Sequence, residues 1–253
     1  MGRHVIAEED RAPHEDEDAR DWALALMSLQ PSSEARGVAD LLQRLVCAAA
    51  NWLDLEGAVV TLKSVDGSEA IAAATDARAR GLAELEFSVG EGPAHEAFAY
   101  GRPVLVANLD GAEGDAWPGY AAAGHAAGTR SVFAFPLQVG ASRFGVLSMF
   151  SDVSRLLDEA EVSQCLALSE LATEALLDSS AATSDGEIDP DLKSALGFRS
   201  EIYQAQGMVM VTLGIALPEA LDVMRAHAFA GGRKLLDVSI DIVEGRLDLT
   251  DDT

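Results

Sequence analysis

Four cations near the C-terminal end of the chain have the type and position to contact phosphate groups. They are Arg199, Arg225, Arg233 and Lys234, and helical periodicity surrounds them. Arginine and lysine side chains bind phosphate oxygens through charge-assisted hydrogen bonds. Taken one at a time, such a cation is more often part of a solvated helix surface. The elements around these residues therefore decide between the two interpretations.

The overall charge of the chain opposes unspecific binding to nucleic acid. The 253 residues include 18 basic and 42 acidic side chains, which gives a formal net charge of −24. Residues 186–253 contain six basic and twelve acidic side chains, a net charge of −6. Such a balance disfavours nonspecific attachment to nucleic acid or to anionic membrane. A local cationic patch can still bind, because salt screens distant carboxylates.

The sequence lacks the common motifs of catalytic sites. It contains no P-loop, GxGxxG, HExxH or GxSxG motif. Cys47 and Cys165 lie in apolar helical patterns and form no CxxC, which excludes a disulfide framework. Glu84, Glu86 and Glu91 lie close in sequence, but no partner supports a paired-carboxylate site. We expect neither a catalytic nor a metal site, and no enzyme activity.

Residues 1–33 predict an acidic disordered tail and a short helix. The first 21 residues are acidic and poor in apolar groups, and the run WALALMSL at 22–29 has helix-forming composition. The start, MGRHVIAEED, has no hydrophobic signal core, and no apolar run approaches membrane-spanning length. We therefore expect a cytoplasmic protein without a membrane partner.

Residues 34–178 predict an α+β domain, an antiparallel sheet flanked by helices. Apolar residues recur at helical spacing over 34–53 and 158–177. Strand patterns and hairpin turn signals lie between these helices. Phe87 to Val89 predicts a short extended segment before the turn at 90–93. The predicted strands cover 58–62, 69–75, 103–106, 131–139 and 143–150.

Residues 190–248 predict a small bundle of three helices, joined to the preceding domain by a linker at 179–189. Asp189 and Pro190 form a helix start, and the first helix ends at Gly214. A second helix runs from Pro218 to about Gly231, and a third covers about 233–246. About sixty residues give a marginal core, so we expect dimerisation or packing on the preceding domain to support it.

Four segments of this bundle carry a family resemblance. They are EIYQAQGMVM at 201–210, EAL at 219–221, MRAHA at 224–228 and RKLLDV at 233–238. In order and spacing they resemble the ANTAR domain of bacterial transcription antiterminators, and most of all its actinobacterial subgroup. The resemblance implies an RNA-binding domain over 190–248.

The same resemblance favours RNA contact, rather than a place on a solvated helix surface, as the role of these cations. It implies that Arg199, Arg225, Arg233 and Lys234 contact an RNA hairpin. We place Gln206 in this RNA-binding set as well, although many ANTAR domains carry lysine there. RNA recognition needs cations near phosphates and polar or planar groups near unstacked loop bases.

The region before the linker resembles a GAF domain over residues 34–178. The matching segments are GEGP at 90–93, EAF at 96–98, GRPV at 101–104, WPG at 117–119, RSVFAFPL at 130–137 and FGVL at 144–147. GAF domains are sensors that carry a pocket on one face of their sheet. The resemblance implies a small-molecule pocket, for which the candidate lining residues are Phe87, Phe98, Trp117, Phe133 and Phe135. Alternatively, these aromatic side chains simply fill the core.

The sequence leaves the cofactor unknown. A bilin needs a pocket cysteine, but Cys47 and Cys165 lie on the flanking helices. Haem needs an axial ligand, and His95 and His125 flank the expected pocket. A histidine in a loop or at a helix start is, however, more often a surface or capping group.

The helices at 34–53 and 158–177 predict a homodimer, because their wide apolar stripes offer one face to the sheet and another to a partner chain. Each helix could instead be buried wholly within its own domain. The function implied is signal-responsive transcription antitermination, in which the GAF domain controls RNA hairpin binding by the ANTAR domain. The alternative is a dimeric ligand-sensing or protein-docking module that does not bind RNA.

Overall fold

A computed structural model describes residues 20–24, 37–64, 68–182 and 199–249. The predicted linker at 179–189 lies outside these residues from 183 onward, as do the helix start at Asp189 and Pro190 and the turn at Asp66 and Gly67. Most of the segment 1–33 also lies outside them. Residues 20–24 are helical, within the range where a short helix is expected.

The first domain is built on a five-stranded antiparallel sheet, which confirms the predicted α+β class. The strand order is β2-β1-β5-β4-β3. Neighbouring strands pair antiparallel throughout, and β4 and β5 form the predicted hairpin. The strands are β1 (Gly57–Lys63), β2 (Glu69–Ala74), β3 (Val104–Val106), β4 (Ser131–Val139) and β5 (Ser142–Ser151).

Helices cover both faces of the sheet, so alternate residues of each strand pack into different layers. Helices α1 (Val38–Trp52) and α5 (Glu159–Ala182) form one layer with Phe133 and Phe135 of β4. The opposite layer contains Val132 and Ala134 of the same strand. Its helices are α2 (Ala77–Val89), α3 (Pro93–Tyr100), a 3-10 turn (Gly114–Ala116) and α4 (Pro118–Ala126).

The prediction of an extended segment at Phe87 to Val89 is wrong. These residues form the last turn of α2, which ends only when Gly90 adopts a left-handed conformation with φ of 76°. The Gly90 N–H donates to the Glu86 carbonyl at 3.0 Å and closes the helix. Glycine adopts this conformation without the steric cost of a Cβ. The glycine cluster therefore ends a helix rather than a strand.

The second domain contains three short helices in the described residues, α6 (Ser200–Leu213), α7 (Leu217–Ala230) and α8 (Leu235–Val243). Gly214 ends α6 with φ of 67°, as the sequence predicts. The Glu219 carboxylate accepts the Ala216 N–H at 3.0 Å at the start of α7. The third helix is shorter than predicted at both ends. One face of each helix packs into a common core.

No single helix of the described residues is long and apolar enough to cross a membrane. Helices α6 and α7 meet the length and composition test only when taken together, and they are bent by 104° at their junction.

Candidate functional site

Phe87 belongs to the first domain but packs in the hydrophobic core of the second. Its side chain is 1% exposed, and it lies in one cluster with Ile202 of α6, Leu221 of α7 and Val238 of α8. A buried phenylalanine side chain contributes about 1.5–3 kcal/mol. The small bundle therefore completes its core with a residue of the neighbouring domain, in line with the expectation that sixty residues need outside support.

Two arginines hold the Phe87 ring. The guanidinium carbon of Arg199 lies 3.8 Å from the ring centroid, and that of Arg225 lies 5.1 Å from it. Arg225 also donates from Nε to the Phe87 carbonyl at 2.9 Å and from Nη1 to Asp222 at 3.1 Å. Each such cation–π contact is worth about 0.5–2 kcal/mol, with the upper value applying where water is excluded.

Gly90 gives Arg225 the space for this contact. A Cβ at Gly90 would lie 3.0 Å from both Cδ and Nη1 of Arg225. The same residue therefore ends α2 through its left-handed backbone and lets the arginine of α7 lie against the chain. We call the contact of Phe87 and Gly90 with Arg199 and Arg225 the arginine clamp.

A second contact lies at the edge of the sheet, where β2 has one unpaired side. The Tyr203 hydroxyl accepts the Glu69 N–H at 2.6 Å and donates to the Glu69 carbonyl at 2.5 Å. Arg199 Nη1 reaches the same carbonyl at 3.5 Å. Backbone groups on an exposed sheet edge favour pairing with another element. Helix α6 satisfies them here through side chains and so docks on the first domain.

Beneath this contact lies a buried group of charged side chains. The Glu69 carboxylate contacts Lys63 Nζ at 2.6 Å, His95 Nε2 at 3.3 Å and Arg199 Nη1 at 3.9 Å. Burial on its own raises the pKa of the Glu69 carboxyl, but the neighbouring Lys63, His95 and Arg199 outweigh it and hold that pKa below its ordinary value. His95 also donates its backbone N–H to Glu86 at 2.9 Å. Lys63 and His95 of its own domain do most to keep Glu69 charged, and Arg199 adds a contribution from the second domain.

The other predicted RNA-binding residues lie away from the clamp. Gln206 is buried inside the bundle and donates to the Leu217 carbonyl at 2.7 Å. Arg233 pairs with Asp241 at 2.5 Å, and Lys234 is exposed just before α8. The five residues thus fall into three places. Arg199 and Arg225 contact the first domain, Arg233 and Lys234 lie in the turn after α7, and Gln206 is buried inside the bundle.

Comparison with protein families decides which domains these are. Residues 35–177 match the model of the GAF domain, and residues 191–243 match that of the ANTAR domain. The chain belongs to the GAF domain family and carries an ANTAR domain after its GAF domain. GAF domains are sensory and ANTAR domains bind RNA, and neither is a catalytic domain. In general terms the chain is a signal-regulated RNA-binding regulator.

One solved structure supports the fold of the GAF domain, and a second is similar at a lower score. The GAF domain of a phosphoenolpyruvate-protein phosphotransferase from Coxiella burnetii is 14% identical, with a TM-score of 0.50, and the match covers 67% of this chain and 96% of that one. The corresponding domain from Acinetobacter is 15% identical, with a TM-score of 0.48 and coverage of 66% and 96%. A search of curated proteins found no match.

The five aromatic side chains predicted to line a GAF pocket do not come together. Phe133 and Phe135 lie in the layer of α1 and α5, whereas Trp117 and the partly buried Phe98 lie in the opposite layer. Phe87 lies in the ANTAR core. Phe133 and Phe135 alternate with Val132 and Ala134 and therefore face α1 and α5, whereas Phe98 and Trp117 lie on the segments that cover the opposite face of the sheet.

The remaining chemical candidates have partners of their own. His95 contacts Glu69 and Glu86, and His125 contacts Asp110 and lies 2.9 Å from Arg130. Cys165 is buried in the layer of α1 and α5, where burial raises the pKa of its thiol. No group of His, Cys, Asp and Glu in the described residues has the arrangement of a metal site.

Glu69, Tyr203 and Gly90 were not predicted from the sequence as residues of the domain contact. The position of Tyr203, one residue after the buried Ile202, is a usable signal, because an aromatic hydroxyl at the margin of a helix stripe needs a polar partner. The partner itself, a backbone 134 positions earlier in the chain, has no sequence signal.

Proposed function

We propose that this protein is a transcription antiterminator in which the GAF domain withholds the RNA-binding residues of the ANTAR domain until a signal arrives. The observation that carries the proposal is the arginine clamp. Arg199 and Arg225 are two of the cations expected to contact RNA, and both are engaged by Phe87. Both guanidinium groups are also nearly buried, since Arg199 is 8% exposed and the Arg225 side chain 12%, so an RNA phosphate cannot reach them while the clamp is closed.

This competition couples the two domains thermodynamically. A GAF ligand that favours the released arrangement increases RNA affinity, and RNA favours the released arrangement in return. Couplings of this type are typically worth about 1–3 kcal/mol, or roughly 5–150-fold in affinity.

Helix α2 gives the signal a path to the clamp. Leu82 and Ala83 of α2 pack in the same layer as α3 and α4, and Phe87 follows one turn later on the same helix. A displacement of α2 by a small molecule in this layer moves the ring against its two arginines. The GAF ligand in this proposal is a small molecule whose identity stays open.

The finer parts of the proposal concern assembly and target. Hairpin capture prevents formation of a terminator, and a homodimer holds two hairpins at once with a gain in avidity. Within one chain, α1 and α5 bury most of their apolar residues against the sheet and each other. A dimer therefore has to use other surfaces as well, and sedimentation equilibrium of the full chain tests for it.

The proposal places the protein in the cytoplasm and assigns it no enzyme activity.

The experiment is a gel shift of the full chain against RNA with two adjacent hairpins, repeated over a series of salt concentrations. We expect the affinity to fall as salt rises, because bound cations displace counterions from phosphates. Substitution Phe87→Ala should raise the affinity about ten-fold by releasing Arg199 and Arg225, measured below the unfolding temperature of the variant because Phe87 also packs in the ANTAR core. The control is Phe98→Ala, which removes a GAF ring that lies 6.0 Å below the guanidinium of Arg143 and outside the clamp.

Two results would count against the proposal. If neither the original chain nor Phe87→Ala shifts RNA at low salt, the chain is a sensing or docking module without RNA. If RNA binds but Phe87→Ala and Phe98→Ala change the affinity equally, the clamp does not control binding.

A further inference from the structure

The last turn of α7 exposes an aromatic ring. Phe229 is 80% exposed and belongs to none of the three hydrophobic clusters formed by the described residues. The following residues, Ala230, Gly231 and Gly232, are exposed as well. A water-exposed phenylalanine next to two glycines leaves both the ring and its surroundings open to a ligand.

The turn after α7 brings two cations next to this ring. The Gly232 N–H donates to the Phe229 carbonyl at 3.1 Å, and the Arg233 N–H donates to the Ala228 carbonyl at 2.8 Å. The Arg233 side chain runs along Gly231, where a Cβ would lie 3.5 Å from its Cγ. Lys234 follows and is exposed. A hydrogen-bonded turn thus fixes the backbone between Phe229 and Arg233, so that the two cations follow the ring within five positions of the chain.

The Asp241 carboxylate holds Arg233 in place without occupying the whole guanidinium. Asp241 pairs with Arg233 at 2.5 Å and with Arg246 at 2.6 Å. Among the described residues, Arg233 uses only Nη2 for hydrogen bonds, to Asp241 and to the Asp237 carbonyl. Its other N–H donors are available to a phosphate.

Phe229 also continues the surface of the clamp. It lies four residues after Arg225 on the same face of α7, about 6 Å along the helix. One end of this face is therefore covered by the GAF domain through Arg225. The other end, with Phe229 and the turn, lies open.

We propose that Phe229 is a stacking platform for an unstacked base of an RNA loop, with Arg233 and Lys234 on the neighbouring phosphates. The inference rests on the proposed function and names the part of the RNA that this face takes. Loop bases stack on aromatic side chains, and cations beside the ring neutralise their phosphates. A protein partner would need a continuous apolar patch of several hundred Å², whereas the exposed residues that follow this ring in the chain are one alanine, two glycines and two cations.

The test compares four variants of the full chain on one RNA. The RNA is selected by the Phe87→Ala chain from a library of paired hairpins with fixed stems and randomised loops, and it carries 2-aminopurine at each loop position in turn. Phe229→Leu keeps an apolar side chain but removes the π face, and Phe229→Trp keeps that face. Tyr100→Leu is the matched control, because Tyr100 is an exposed aromatic residue beside Arg102 on the GAF domain.

We expect Phe229→Leu to lose about ten-fold in affinity and Phe229→Trp to bind as the original chain does. One loop position should show 2-aminopurine quenching that Phe229→Leu abolishes and Tyr100→Leu leaves intact. The salt dependence should stay the same in Phe229→Leu, because no charge is removed, but should weaken in Arg233→Ala/Lys234→Ala.

RNA binding that is unchanged in Phe229→Leu overturns the inference and leaves the proposed function standing. Equal losses in Phe229→Leu and Phe229→Trp, with the same unfolding temperature as in the original chain, also overturn the inference, because Phe229→Trp keeps the face on which a base would stack. Absence of RNA binding in both the original chain and Phe87→Ala overturns the inference together with the proposed function.

Discussion

Phe87 and Phe135 lie in the same GAF domain and are both almost fully buried, but they pack into the cores of different domains. Phe135 projects from a central strand into the layer of α1 and α5. Phe87 projects from the end of α2 into the ANTAR bundle, between two arginines. The first residue stabilises its own domain, whereas the second connects two domains.

Two equally buried rings can therefore have different roles, one inside a domain and one between two domains. Phe135 packs among apolar side chains in a close-packed layer, and these side chains have no alternative ligand that would replace the contact. The contact around Phe87 uses guanidinium groups that also suit phosphates. A contact whose partners have an alternative ligand is suited to be opened. The following changes test this comparison.

The largest expected effect is that of Phe135→Ala on the GAF domain. Loss of a fully buried ring should lower the free energy of unfolding of this domain by about 3–5 kcal/mol. Phe87→Ala should leave the exchange protection of the sheet amides nearly unchanged and lower that of α6 and α7. Hydrogen exchange of the full chain measures both. Equal loss of sheet protection in the two variants would contradict the division between a core and a connecting phenylalanine.

The next effect is that of Tyr203→Phe at the sheet edge. The change removes the hydroxyl that pairs with both the N–H and the carbonyl of Glu69, which should cost about 1–3 kcal/mol. We expect faster exchange of the Glu69 amide and tighter RNA binding in the gel shift. Tyr100→Phe serves as the control, because Tyr100 is exposed and lies outside the domain contact. Faster exchange at Glu69 without a change in RNA affinity would separate the sheet edge from the clamp.

Gly90→Ala tests the close approach of Arg225 with a smaller effect. An alanine in the left-handed conformation costs about 1–2 kcal/mol. At Gly90 it also displaces Arg225, whereas Gly214→Ala brings the same backbone strain with no atom within 4 Å of the new Cβ. The midpoint temperature of thermal unfolding should therefore fall in both variants, and RNA affinity should rise only in Gly90→Ala. A rise in both would assign the effect to strain.

The smallest expected effect is a dependence of the domain contact on pH. Since neighbouring cations hold the pKa of Glu69 below its ordinary value of 4.5, its contribution to stability is present above that value. It should be lost as the pH falls through the lowered pKa in the folded protein. Urea unfolding at pH 7 and at pH 4 should give a larger difference for the original chain than for Glu69→Gln. Parallel behaviour of the two chains would exclude Glu69 as the titrating group.

Much of the fold follows from local pattern alone. The hairpin of β4 and β5 was predictable from alternation on both sides of Gly140, and the end of α6 from Gly214. Both families were recognisable from short segments in a fixed order. These features are determined by neighbours in sequence, since turn geometry and helix ends depend on a few adjacent residues.

The position of the predicted RNA-binding residues was predictable only in part. Arg233 and Lys234 lie at a turn near the surface, as a cationic contact requires. Gln206 donates inside the bundle, and Arg199 and Arg225 bind the GAF domain. Sequence identifies these side chains as polar and helical, but it gives no sign of the acceptor or ring that each one faces.

By itself, then, the sequence determined two domains, their order, their classes and the residue types available for RNA. The tertiary structure alone decided that Phe87 leaves its own domain and that Arg225 meets it from 138 positions further along the chain. Periodicity reports that a side chain is buried, because that depends on the face of its own helix or strand. The partner of that side chain depends on how two finished elements pack, and this is settled only when the whole chain has folded.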